Sequence, residues 1–289
     1  MNELEKELFA NEEIEIKEQL FADKYTKTYV VEWKKCDDLY ILKKIKLNIS
    51  QQLRIDSLKA LYHPNVIHIY RSWVIKNHAY YLIDYCKKSM GTLVTEEGPL
   101  DPKMFTIYSF DMLQALKFCH EKDVKNLRLT PYRFFFDKYN RIRMCMFCLA
   151  VQSNTYTSSF SIYPKETTDI VTLGLIFYFM VTGKTPAGMN FDSVENVFQD
   201  PSIIENITYP SDMPSDIKNL IMKCFDISKD ITVTDLLQNP IYRALPALER
   251  IKVGTPNSPH ICQFKRFSDV PQPVPVVLNY RQFQRRSLN

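Results

Sequence analysis

The stretch from Phe118 to Ala150 constrains the rest of the chain. Phe118 to Glu121 closes a helix, and a short loop follows. The aromatic run Phe134-Phe135-Phe136 is a strand, Asp137 to Asn140 a turn, and Arg141 to Met146 a second strand. Helix, loop, hairpin, loop is too little to bury its own apolar residues, so its neighbours must cover it. Before it, Phe105 to Glu121 carries Phe105, Ile107, Met112, Leu113, Leu116 and Cys119 at the spacing of a half-buried helix. After it, Ile170 to Val181 is apolar all round and stops at Thr182-Gly183-Lys184-Thr185-Pro186. A helix apolar on every side must be buried on every side, and this one is too short to cross a bilayer. The second half of the chain is therefore a mainly helical body built around it, with further amphipathic helices at Asp216 to Phe225 and Val233 to Gln238.

The N-terminal third follows a different period. Tyr29, Val31 and Trp33 alternate on one strand face, Lys34 to Asp38 turn, and Leu39 to Ile45 forms the next strand. Asn48 to Tyr62 has helical spacing through Leu53, Leu58 and Leu61, and His63-Pro64-Asn65 ends it. Val66 to Val74 and Ala79 to Tyr85 are two more strands. The order of these is strand, strand, helix, strand, strand. Residues 1 to 20 are acidic, with one weak helical stripe through Leu4, Leu8, Phe9 and Ile16, and are expected to be a solvated extension. From Arg250 on, Thr255-Pro256, Ser258-Pro259 and Asp269 to Pro275 point to an extended tail.

Bulk numbers exclude several classes. A net charge of +4 is too weak to argue for nucleic acid. No charged segment followed by an apolar run marks a secretory leader. Seven scattered cysteines suit a reducing compartment, the cytoplasm or the nucleus. Cys145 and Cys148 form a lone C-x-x-C with no second pair, and the five histidines lack ligand spacing, so no metal site is expected. Glycine is scarce, six in 289 or about 2% against roughly 7% on average, and none precedes Gly91. Arg141 and Arg143, flanking Ile142, are most simply a solvated strand face.

Several anchors then fall in one order: Ile41-Leu42-Lys43, His63-Pro64-Asn65, Leu129 with Pro131, Phe147-Cys148-Leu149-Ala150, and Asp169 to Gly174. From about Tyr25 to Arg243 the chain resembles a eukaryotic-type serine/threonine protein kinase domain. The resemblance implies a bilobal α+β fold. A small antiparallel β lobe with one main helix (residues 21–85) precedes a larger, mainly helical lobe (86–249), flanked by the extension 1–20 and the tail 250–289. It also implies a hinge at Ile83, Asp84, Tyr85 and Cys86.

Kinase chemistry needs a glycine-rich loop, a strand lysine paired with a helix glutamate, H-R-D with a following lysine and asparagine, and D-F-G. Lys43 stands at the strand lysine. Arg54 stands at the helix glutamate, Asn126-Leu127-Arg128 replace H-R-D, Thr130 the lysine, Arg133 the metal-binding asparagine and Met146 the D-F-G aspartate. Arginine accepts no proton and methionine offers magnesium no hard oxygen. Ile41 stands at the small roof residue over adenine and Phe135 at the floor leucine, so the adenine slot is expected to be filled.

These residues imply a catalytically inactive pseudokinase: no enzyme, no ATP or magnesium, no membrane or nucleic-acid partner, but a scaffold or allosteric regulator of another protein, an active kinase or its substrate. The alternatives are a weak or atypical serine/threonine kinase, and an anion, phosphopeptide or RNA module using Arg54, Arg128 and Arg133. A charge-reversed ion pair is also expected between Lys165 and Asp230, with Glu166 competing for the first position.

Overall fold

The computed structural model describes residues 3–46, 61–86, 88–125, 127–146, 165–191, 194 and 196–245, the side chains of Lys165 and Ala244 excepted. All of them lie in one unit, Met1–Pro256. The helix expected over 48–62, Arg54 in it, Asn126, Phe147 to Ala150 with Cys148, and the tail after 250 fall outside these residues, the last two helix positions apart.

The first lobe begins with α1 (Glu3–Asn11), followed by β1 (Ile14–Ala22), β2 (Thr26–Trp33), β3 (Asp38–Lys46), β4 (Ile69–Ile75) and β5 (His78–Asp84). The strands form one antiparallel sheet in the order β1-β2-β3-β5-β4. Strand alternation gives the sheet two buried faces. On the inner face, Val30, Ile41, Ile45, Tyr81 and Ile83 join one apolar cluster. On the outer face, Val31, Trp33, Tyr40, Leu42, Tyr80 and Leu82 join another, together with Phe9 of α1.

The acidic N-terminal stretch is thus no solvated extension. Glu5 and Phe9 of α1 are buried on the sheet, while Ile16 belongs to β1. The four-residue stripe splits across two elements because Glu13, in the left-handed region at φ 58°, turns the chain between them.

The second lobe comprises α2 (Met90–Glu97), α3 (Pro102–Glu121), a 3₁₀ turn (Pro131–Arg133), the hairpin β6 (Phe134–Phe136) and β7 (Ile142–Met144), and α4 (Lys165–Thr182). The short α5 (Asn196–Gln199) and α6 (Ser202–Glu205), then α7 (Ser215–Cys224), α8 (Val233–Leu237) and a 3₁₀ turn (Pro240–Ala244), complete it. Local chemistry sets the ends. Asp101 caps α3 by accepting from Lys103 N–H and Met104 N–H, with Pro102 in the first turn. Thr232 and Asp235 form a capping box on α8. The apolar α4 is the hub, its residues Ile170 to Met180 buried throughout. Gly174 lets α7 approach it, since a Cβ there would lie 2.6 Å from Cys224 Cβ.

The hairpin arginines are not a solvated face. Arg141 forms a two-pronged pair with the fully buried Asp111 of α3, Nε to Oδ2 at 2.8 Å and Nη2 to Oδ1 at 2.5 Å. Asp111 also accepts from Ile142 N–H, which locks the hairpin to the helix. Arg141→Ala, leaving Asp111 buried without its cation, should cost about 3–5 kcal/mol. Urea denaturation measures it, and Arg141→Met with Asp111→Leu should recover most of the loss.

Candidate active site

β3 presents Ile41, Lys43 and Ile45 to the inner face and Tyr40, Leu42 and Lys44 to the outer one, following its alternation. Lys43 is half-buried opposite Tyr81 of β5 and Thr28 of β2. Ile41 is buried, and Phe135 of β6 packs on the same inner cluster, as do Tyr85 and Cys86. The cluster runs from β3 through Tyr85 and Cys86 to the hairpin, so Ile41 and Phe135 belong to one apolar body. Burial pushes the Cys86 thiol well above its ordinary range, with Asp84 adding to the effect, and leaves it a neutral, inert thiol.

The hinge is held by charge. Asp84 accepts from Tyr70 OH at 2.8 Å and from His68 N–H at 2.8 Å. Arg143 of β7 donates to Asp84 at 3.3 Å and through Nε to Asp137 at 3.1 Å. Both carboxylates and the guanidinium are nearly buried, so the network ties β5 to the hairpin in a low-dielectric place. Sequence reasoning missed it because the three partners lie in separate elements. His63-Pro64-Asn65 makes a second tie. Asn65 accepts from Met144 N–H at 2.7 Å and donates its side-chain amide to Ile142 O. His63 stacks on Phe118 at 4.8 Å and accepts from Asn65 N–H.

The loop between α3 and the 3₁₀ turn is pinned from below. Asp169, buried in the first half of α4, accepts from Leu127 N–H at 2.6 Å and pairs with His120 Nε2 at 3.0 Å. His120, in the last turn of α3, was not singled out from the sequence. The C-H-E run before the loop was its available signal. Arg128 is exposed at φ 45°, a left-handed conformation that costs a residue with a side chain about 1 kcal/mol or more. Thr130 is extended and caps the 3₁₀ turn without a side-chain bond. Arg133 is only 7% exposed. Its Nη1 donates to Leu127 O at 2.8 Å, so it braces the loop from within. Met146 is buried, its sulfur 3.3 Å from Cys119 Sγ in the second-lobe core.

This arrangement can be set beside known proteins. A sequence model of the protein kinase domain matches residues 15–242. The chain belongs to the protein kinase family. An Aurora kinase of Dictyostelium discoideum is 25% identical over 232 residues, covering 72% of this chain and 59% of that protein. The probable serine/threonine-protein kinase MARK-A of the same organism is 24% identical over 66% of this chain and 19% of its own length. An Aurora kinase of Candida glabrata is 23% identical over 83% of this chain and 74% of its own. The chain thus spans well under two thirds of the first two relatives.

Family membership corrects two expectations. A chain with no enzymatic role is not what these relatives indicate, since they are named as kinases. Nor is a chain without ATP and magnesium, because kinases of this family work with both. The two residues that the resemblance sets at metal positions are a buried thioether, Met146, and a guanidinium turned onto Leu127 O, Arg133. Neither side chain fits magnesium, which takes oxygen ligands. Among the described residues no group of three or more His, Cys, Asp or Glu could hold a metal ion.

The loop joining β1 and β2, where the family covers phosphate with glycines, contains Asp23. Its carboxylate accepts from Tyr25 N–H at 2.7 Å and Thr26 N–H at 2.5 Å, which sets a negative charge against the loop's own amides. The proposed Lys165 partner Asp230 is exposed, which rules out a fully buried pair, and Lys165's own side chain lies outside the described residues. Glu166 is held by Lys125 at 2.9 Å.

Two tests follow from this geometry. Burial pushes His63 down from its usual 6.5 to about 4, with Glu121 opposing. Between those values the unfolded chain binds the extra proton, so the stability held by neutral His63 is intact above pH 6.5 and lost as pH falls toward 4. His68 is lowered by burial in the same direction. Thermal melts at pH 7 and 4.5 should show His63→Phe flattening the drop by on the order of 2 kcal/mol, allowing for its partial exposure. Separately, Ile41→Ala with Phe135→Leu, and Asp23→Gly on its own, should each tighten ATP binding about tenfold by calorimetry, worth ~1.4 kcal/mol.

Proposed function

We propose that this chain is an atypical serine/threonine protein kinase that transfers the terminal phosphoryl group of ATP to a hydroxyl, more slowly than its family usually does. The observation that carries this reading is the family match over residues 15–242, which takes in every element framing the loop that Asp169 pins. Phosphoryl transfer asks a protein for position and charge more than for covalent chemistry. Its loose transition state spreads negative charge over the transferring oxygens, so a missing base is a defect of rate. The exposed guanidinium of Arg128 and the ammonium of Lys43 offer positive charge on the two sides of the cleft. The anion, phosphopeptide or RNA reading is weaker, because Arg133 is committed to Leu127 O.

A second reading is favoured by the apolar cluster that joins Ile41 to Phe135. On it the domain acts chiefly by binding another protein, an active kinase or its substrate, as a scaffold or allosteric regulator. The place of work on either reading is the cytoplasm or the nucleus, which suits the free thiols of Cys86, Cys119, Cys145 and Cys224, whereas Cys36 is disulfide-bonded, against the expectation of reduced cysteines throughout.

Radiolabelled ATP with generic serine/threonine substrates, with and without magnesium, separates the readings. The first expects incorporation about 100-fold or more below the family's roughly 1–100 per second. Lys43→Met should abolish it, and Arg128→Ala should lower it about 100-fold, as loss of one charge-stabilising group does. Incorporation that survives Lys43→Met, or none from folded protein that binds ATP, overturns the first reading. In the latter case, a partner captured equally by wild type and Lys43→Met supports the second.

A further inference from the structure

The outer face of the sheet carries a built polar socket, away from the interlobe cleft. It takes one donor from each of four strands. Lys44 Nζ of β3 and Tyr80 OH of β5 both donate to Glu5 Oε1, each at 2.5 Å. Trp33 Nε1 of β2 donates to Glu12 O at 3.0 Å, and Trp73 Nε1 of β4 to the Glu12 carboxylate at 3.3 Å. Lys35 adds an exposed pair to Glu12 at 3.3 Å. Between the two carboxylates Phe9 is buried edge-on against Tyr80, centroids 5.8 Å apart. Glu5 itself is 3% exposed.

The occupant is weakly held by its own backbone. α1 has nine residues, and a helix so short does not persist alone in water. Its chain link passes through Glu13, a non-glycine residue in the left-handed region. Its side chains are acidic where the socket offers ammonium, phenol and indole donors. The fit therefore lies in a pattern, a glutamate with an aromatic four residues on, which any short helix carries on one face, and a second carboxylate just past the helix end.

We propose that this outer face is a docking socket for a short acidic amphipathic helix, filled in cis by α1 and open to the helix of a protein partner that displaces it. A tethered segment competes at an effective concentration in the millimolar range, so a partner must match the pattern closely or meet α1 already released. Docking would be felt at the cleft through one peptide unit, since Lys44 grips the occupant and Lys43 next to it faces the other way.

The test uses the full chain and a fluorescent peptide of residues 3–13. Glu5→Lys with Phe9→Asp in the full chain vacates the socket but leaves its donors in place. Anisotropy should show the peptide binding this variant with Kd ~10–100 μM and the wild type at least tenfold more weakly. Adding Lys44→Met and Tyr80→Phe to the variant should abolish binding. A variant with native near-UV circular dichroism that fails to bind, or equal binding by wild type and variant, overturns the proposal. Should the variant not fold, hydrogen exchange on the wild type decides. α1 amides exchanging well before the sheet support an exchangeable occupant, and α1 amides exchanging only with global unfolding refute it.

Discussion

One buried carboxylate holds the frame together. Asp169 sits on the apolar helix that forms the hub of the second lobe, and it accepts from Leu127 N–H while pairing with His120. A charge in that position is tolerable only with partners of this kind. Arg133 takes the carbonyl of the same residue, so the Leu127 N–H and C=O groups are gripped from two sides. Arg133 thus strengthens the loop that the aspartate anchors. Met146 acts similarly by filling core space beside Cys119. Side chains that a typical kinase aims at the cleft are turned inward here.

The two lobes meet through both apolar and ionic contact. Ile41 and Phe135 share a cluster with the hinge, and Asp84 reaches Arg143 across the same region. Apolar burial alone resists opening in proportion to area, whereas breaking the Asp84–Arg143–Asp137 network strands charges in a poorly solvated place. Separating the two lobes must work against both. On the proposed function, that is the physical sense in which this member of the family would be atypical.

Much of the fold was legible in the sequence because it is written in local periods. The two-residue alternation of Tyr29, Val31 and Trp33, the all-round apolarity of Ile170 to Val181, and the stop at Gly183 report backbone geometry that neighbours in sequence impose. The anchors from Lys43 to Asp169 were legible by resemblance. Arg128, Thr130, Arg133 and Met146 could be placed at family positions, but position said nothing of where each side chain turns. Reading activity from those letters alone also led to a non-enzyme, which kinship with named kinases does not support.

The sequence by itself determined the strands from Thr26 to Asp84, the two long helices of the second lobe and the change of period between the lobes. Tertiary structure alone decided the partners of the charged side chains. Arg141 finds Asp111 30 residues away, Arg143 finds Asp84 at 59, and Tyr80 finds Glu5 at 75. A lone arginine or glutamate looks solvated in sequence, because most are. Whether it is buried depends on which distant group can satisfy its hydrogen bonds, and no local period encodes that.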